Sequence, residues 1–234
     1  MARTFKLGGT LEINRLGYGA MQLTGKGVFG DVDDREHAKK VLQAAVAGGV
    51  NFIDTAEAYG PDTNETLIAE ALHPYKSDVV IATKGGFVRP GPDNWVPNGK
   101  PDFIRENIEG SLKRLKVDTI DLWQLHRIDP KTPVEETLQP VIEAVKAGKI
   151  RYVGLSEVTI DQIKQVQQIL PIVSVQNLYN LGERKWEEVL DFSSSWHSYP
   201  GSRWPLVRRR WRIRSRQLLT SIRLRRRRLR WHGC

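Results

Sequence analysis

Along the first 190 residues, short apolar runs alternate with stretches whose apolar positions recur every three to four residues. Residues 4–7 and 11–13 flank Gly8-Gly9 and predict a short hairpin closed by a glycine turn. After it the pattern is regular. An apolar run at 15–18 precedes a predicted helix over 34–47, a run at 51–53 precedes a helix over 65–72, and one at 79–83 precedes a helix over 102–115. Runs at 119–125, 150–155 and 172–176 precede helices over 133–147, 160–170 and 183–190. The reading is six strand-then-helix units, with 85–100 as a long Gly-, Pro- and Asn-rich loop.

Strands that alternate with helices of this length pair in parallel through right-handed crossovers, in either a doubly wound sheet or a barrel. The doubly wound alternative lacks its dinucleotide fingerprint: Gly17-Tyr18-Gly19 is followed by Ala20-Met21-Gln22, so Gln22 stands where the third glycine belongs. The predicted fold is therefore an α/β (β/α)8 barrel of which six units are legible, and the loops after the strands are where its chemistry is sought.

Composition narrows the function classes. The only cysteine is Cys234, which excludes a disulfide framework, a cysteine metal site or a catalytic thiol in the body of the chain and fits a reducing, cytoplasmic setting. No signal-length or membrane-length apolar run is present, and no metal-ligand spacing is found, so neither membrane nor metal enters the expectation. The net charge of +9 suggests an acidic partner until it is located. Residues 1–190 hold 23 Lys and Arg against 26 Asp and Glu, whereas the last 44 residues hold 13 Arg and one acid, Asp191.

Three polar residues follow apolar strands directly: Asp54, Lys84 and His126, with Tyr59 five residues beyond Asp54. On neighbouring barrel strands they converge on one rim. A phenol titrates near ~10, and an adjacent ammonium stabilises its phenolate, so Lys84 is expected to lower the Tyr59 value. Asp54 is expected to hold Lys84 by an ion pair and His126 to orient a carbonyl oxygen. Tyr59 then serves as a general acid for carbonyl reduction. No side chain supplies a hydride, so a cofactor is implied.

The runs Asn51-Phe52-Ile53-Asp54-Thr55-Ala56 with Tyr59-Gly60, Ile81-Ala82-Thr83-Lys84, Asp121-Leu122 through Leu125-His126, and Gly154-Leu155-Ser156 resemble the aldo-keto reductase superfamily. The amino-terminal hairpin and Gly17-Tyr18-Gly19-Ala20-Met21-Gln22 look like its bacterial, pyridoxal-reductase-like members. The resemblance covers residues 1–191. It implies an eight-stranded barrel that binds NADP(H), a small carbonyl substrate, and the Asp54, Tyr59, Lys84, His126 tetrad as catalytic residues. It also implies cofactor contacts from Gly19, Ala20, Met21, Asp54, Ser156 and Gln176, with Ser156 and Gln176 holding the nicotinamide carboxamide. Glu157 departs from the usual Asn at its position. The alternatives are a non-catalytic nucleotide-binding barrel and an inactive, truncated product.

Residues 192–234 break the pattern: all 13 of their arginines fall between Arg203 and Arg230, and they carry four of the seven tryptophans. One reading is an Arg- and Trp-rich appendage for nucleic acid or an anionic membrane. The favoured reading is an aberrant, disordered tail with the Arg, Trp, Ser, Pro and Leu bias of a shifted frame in a GC-rich gene, in which strands seven and eight are not recognisable and no specific nucleic acid is bound.

Overall fold

The computed structural model describes residues 4–195; the expectations for the Arg- and Trp-rich tail from 196 onward lie outside the described residues. The chain opens with the hairpin β1 (Thr4–Leu7) and β2 (Leu11–Asn14), antiparallel, with Gly8 and Gly9 both at positive φ in the turn as the glycine pair requires. Six further strands form one parallel sheet: β3 (Tyr18–Gly19), β4 (Phe52–Asp54), β5 (Val80–Gly85), β8 (Ile120–Leu125), β9 (Ile150–Ser156) and β10 (Ser174–Gln176). The helices are α1 (Arg35–Ala47), α2 (Thr63–Leu72), α3 (Pro101–Leu115), α4 (Val134–Lys146), α5 (Ile160–Gln167) and α6 (Glu187–Ser195).

The strand order β10-β9-β8-β5-β4-β3 follows the chain without reversal. A doubly wound sheet would switch direction part-way, so this order belongs to a singly wound, barrel-type sheet. One hydrogen bond demonstrates its curl. Gln176, at the end of β10, donates from Nε2 to Asp54 Oδ1, at the end of β4, over 2.9 Å. Four strand steps in a flat sheet would separate these positions by ~19 Å, beyond the reach of the two side chains. The six strands therefore form a curved part of a (β/α)8 barrel.

Apolar residues fill both sides of the sheet. Outside, Ile104, Ile108 and Leu112 of α3 and Leu138 and Val141 of α4 pack with Trp123, Leu125, Val153 and Leu155, while Leu42, Leu67 and Ile68 of α1 and α2 cover Ile53 and Ile81. Inside, Val80, Ala82, Leu122 and Val173 meet Leu7 and Ile13 of the hairpin, which plugs the amino-terminal end of the barrel. Gly154 lies on that inner side; a Cβ there would stand 2.1 Å from Ser174 Oγ, so glycine is needed for β10 to approach β9.

Helix boundaries follow local chemistry. The Asp34 side chain caps α1 by accepting from His37 N–H at 2.8 Å, Pro101 begins α3, and Thr159 with Gln162 forms a capping box on α5. Several sequence expectations change, among them the ends of two helices: that over 160–170 ends at Gln167 and the last extends to Ser195. The first parallel strand is shifted from 15–18 to Tyr18–Gly19, α6 begins at Glu187 rather than 183, and the loop read over 85–100 contains a second hairpin, β6 (Phe87–Gly91) and β7 (Asn94–Pro97). Its turn is Pro92-Asp93, with Asp93 at φ 54°.

Candidate active site

The carboxyl ends of β4, β5, β8, β9 and β10 present Asp54, Lys84, His126, Ser156 and Gln176 on one rim, and the loop after β4 brings Tyr59 to them. Lys84 is the centre. Its side chain is 1% exposed, yet each ammonium proton has an acceptor: Asp54 Oδ2 at 2.7 Å, the Thr55 carbonyl at 2.9 Å and the Tyr59 hydroxyl at 3.3 Å. A cation this deeply buried persists because it is fully paired. All four residues of the tetrad are thus brought together, His126 by ring contact: its centroid lies 5.7 Å from that of Tyr59, nearly perpendicular.

The electrostatics depart from the sequence expectation in one respect. The Tyr59 hydroxyl lies above, not below, the ordinary phenol value, because burial outweighs the opposing effect of Lys84 and Asp54 also pushes it up. The phenol is firmly protonated at neutral pH. His126 moves the other way: burial first, then the positive charges of Lys84, Arg127 and Arg89, hold its imidazole well below the usual histidine range. The ring is neutral. Its Nδ1 is enclosed and has no hydrogen-bond partner among the described residues, so Nε2 is the nitrogen left to meet a ligand.

Ser156 and Gln176 are direct register partners on β9 and β10. Ser156 Oγ accepts from Arg127 Nη1 at 3.1 Å, which leaves its O–H to donate. Gln176 spends its Nε2 on Asp54, which leaves its Oε1 to accept. One donor beside one acceptor complements a primary carboxamide, the group a nicotinamide carries. Gly19 is exposed with open space where a Cβ would stand, and Met21 is half-buried. Ala20, between them, is 0% exposed, packs in the core beneath α1 and α2, and its carbonyl accepts from Asn64 Nδ2 at 2.9 Å.

Glu157 follows Ser156 directly after β9. Its φ of 53° is a left-handed conformation that suits Asn better than Glu, and its carboxylate accepts from Leu178 N–H and, at 3.0 Å, from the Trp186 indole N–H. It fastens the segment after β10.

Of the residues around the site, Phe87, Arg89 and Arg127 carried no sequence expectation. Phe87 and Trp95, from the second hairpin, stand edge-on to the His126 ring at 4.7 Å and 6.1 Å, and Trp95 also meets Tyr59 at 6.2 Å. Arg89 stacks on Trp95 at 3.5 Å and donates to the carbonyls of Gly27, Val28, Ala58 and Asn94, tying the hairpin to the Tyr59 loop. The aromatic and β-branched residues on either side of Gly91-Pro92-Asp93 were the available signal for this hairpin. Arg127, directly after His126, had none.

A family model described as the aldo/keto reductase family matches residues 15–197. An uncharacterised oxidoreductase of Schizosaccharomyces pombe is 50% identical over 191 residues, covering 82% of this chain and 62% of that protein. The pyridoxine 4-dehydrogenase of Escherichia coli is 40% identical over 196 residues, covering 81% of this chain and 68% of its own length. Among solved structures, an aldo-keto reductase from Klebsiella pneumoniae in complex with NADPH superposes with a TM-score of 0.69 at 25% identity, over 86% of this chain and 66% of that one.

Proposed function

The chain belongs to the aldo/keto reductase family, and from that membership we propose that it is an NADP(H)-dependent reductase of small aldehydes or ketones, with Asp54, Tyr59, Lys84 and His126 as its catalytic group. The observation that carries this reading is Lys84 Nζ bridging the Asp54 carboxylate and the Tyr59 hydroxyl, with neutral His126 alongside.

Ser156 and Gln176 would hold a reduced nicotinamide by its carboxamide, and that group would supply the hydride. The protein's own groups do the rest. His126 Nε2–H donates to the carbonyl oxygen and fixes it beside the Tyr59 hydroxyl. Tyr59, kept protonated by burial, gives its proton to that oxygen as negative charge develops there. The phenolate left behind is stabilised by Lys84, whose ammonium Asp54 holds in place. Phe87 and Trp95 wall the pocket and suit an aromatic substrate, and the likeness to a pyridoxine 4-dehydrogenase makes pyridoxal a candidate.

The test is cofactor oxidation by the full chain with NADPH, NADH, a panel of aromatic aldehydes and pyridoxal. Tyr59→Phe is expected to reduce turnover by about 10²-fold or more. No turnover above that variant would reject the reading.

A further inference from the structure

We propose that Arg127 forms an oxyanion-binding subsite at the mouth of the pocket, and that the preferred substrates are carbonyl compounds carrying a carboxylate or a similar anionic group. The inference deepens the reductase reading by naming its substrate class.

The guanidinium of Arg127 is half-buried at the rim. Nη1 is occupied, donating to the His126 carbonyl at 2.6 Å and to Ser156 Oγ at 3.1 Å. Nε and Nη2 have no acceptor among the described residues, and no carboxylate lies within ion-pair distance of the guanidinium. The acid whose charge most affects it, Glu157, already uses both carboxylate oxygens on Leu178 and Trp186. This is a partly desolvated cation fixed in direction, with free donors and no carboxylate in ion-pair contact among the described residues. Burial accordingly pulls its value down.

Its surroundings locate it in the substrate path. It lies 5.6 Å from the centroid of Phe87, the ring that packs on His126, and its charge acts on both Tyr59 and His126. Arg89, the other arginine near the site, is the instructive contrast. Its guanidinium is also buried without a carboxylate, but it is spent on four backbone carbonyls and has a structural role. Arg127 is held by two contacts on one nitrogen, which leaves Nε and Nη2 in the fork geometry that takes a carboxylate in two parallel hydrogen bonds.

The proposal is tested with 4-formylbenzoate and its neutral isostere 4-formylbenzamide. Binding of each to the full chain is measured by quenching of tryptophan fluorescence, without cofactor, and reduction of each is then measured with NADPH. Wild type is expected to bind the carboxylate about tenfold more tightly than the amide. Arg127→Met is expected to remove that preference while binding the amide as wild type does, and Arg127→Lys to keep part of it. Equal binding of the two by wild type overturns the proposal, whatever the variants do. So does a carboxylate preference that survives Arg127→Met, including the case in which NADPH affinity falls instead, since the oxyanion would then be a cofactor phosphate. The two readings fail separately. Carboxylate preference without turnover would end the reductase reading and leave the anion site, whereas turnover without preference would end the anion site alone.

Discussion

Glu57, two residues before Tyr59, allows the electrostatics of this loop to be tested through stability alone. Its Oε2 is buried without a hydrogen-bond partner, and its carboxyl is pushed up to about 8 by burial first and by Glu65 next. Asp62 adds to the rise, and Arg114 and Arg89 oppose it. The cations do little because they are engaged elsewhere: Arg114 already pairs with Glu65 at 2.7 Å and Asp62 at 2.9 Å, and Arg89 with backbone carbonyls. The folded state thus keeps a proton on Glu57 that the unfolded state loses near its ordinary value of 4.5. Folding stability is greatest below that value and falls as pH rises towards 8, by about 1.4 kcal/mol per pH unit. Between pH 5 and pH 7 the loss is about 3 kcal/mol, an upper figure because the side chain is partly exposed. Glu57→Gln imitates the protonated acid and removes the slope. Urea denaturation of both proteins at pH 5, 6, 7 and 8 should show the variant gaining on wild type at each step. A difference that stays constant within about 0.5 kcal/mol across that range would refute the argument.

Other outcomes follow from the same packing. Lys84→Met breaks an ion pair whose cation is 1% exposed and leaves Asp54 with Gln176 as its close partner; it should lower stability by about 3 kcal/mol, and a loss below about 1 kcal/mol in urea denaturation would show the pair to be effectively solvated. The His126 ring binds its proton less readily folded than unfolded, so acid should favour unfolding from about pH 6.5 downward, and its ring NMR signals should not titrate between pH 6 and 8. A midpoint inside that interval would contradict the enclosed environment. Leu122→Ala empties a position 1% exposed inside the barrel and should lower stability by about 2–5 kcal/mol, measured by the same denaturation; a near-neutral effect would mean that the hairpin plug collapses onto the gap.

The order of elements was legible because each strand and helix advertises its own period, and the polar residues closing Ile53, Thr83 and Leu125 marked the rim. Periodicity was weakest where the elements are shortest: a two-residue strand at Tyr18–Gly19 has no period to read. The hairpin at 87–97 was hidden by the Gly, Pro and Asn content that usually signals a loop, although here Pro90, Gly91, Asn94 and Pro97 stand within its strands. The burial of Ala20 beneath α1 and α2, between an exposed Gly19 and a half-buried Met21, was not legible in the run of small residues there.

By itself, then, the sequence determined the parallel α/β architecture and the placing of Asp54, Lys84 and His126 at strand ends with Tyr59 in the loop beyond the first, since strand ends are local features and residue types are written in the chain. What only the tertiary structure decided was how those groups act on one another. Whether Lys84 or burial governs the Tyr59 hydroxyl depends on how much water the fold excludes, and burial prevails. The Asp54 to Gln176 bond depends on the curl of six strands, across 122 residues of sequence. Arg127 and Glu157 are both charged residues that follow strand ends. Their roles diverge because one finds both its oxygens occupied by Leu178 and Trp186, and the other keeps free donors at the mouth of the pocket.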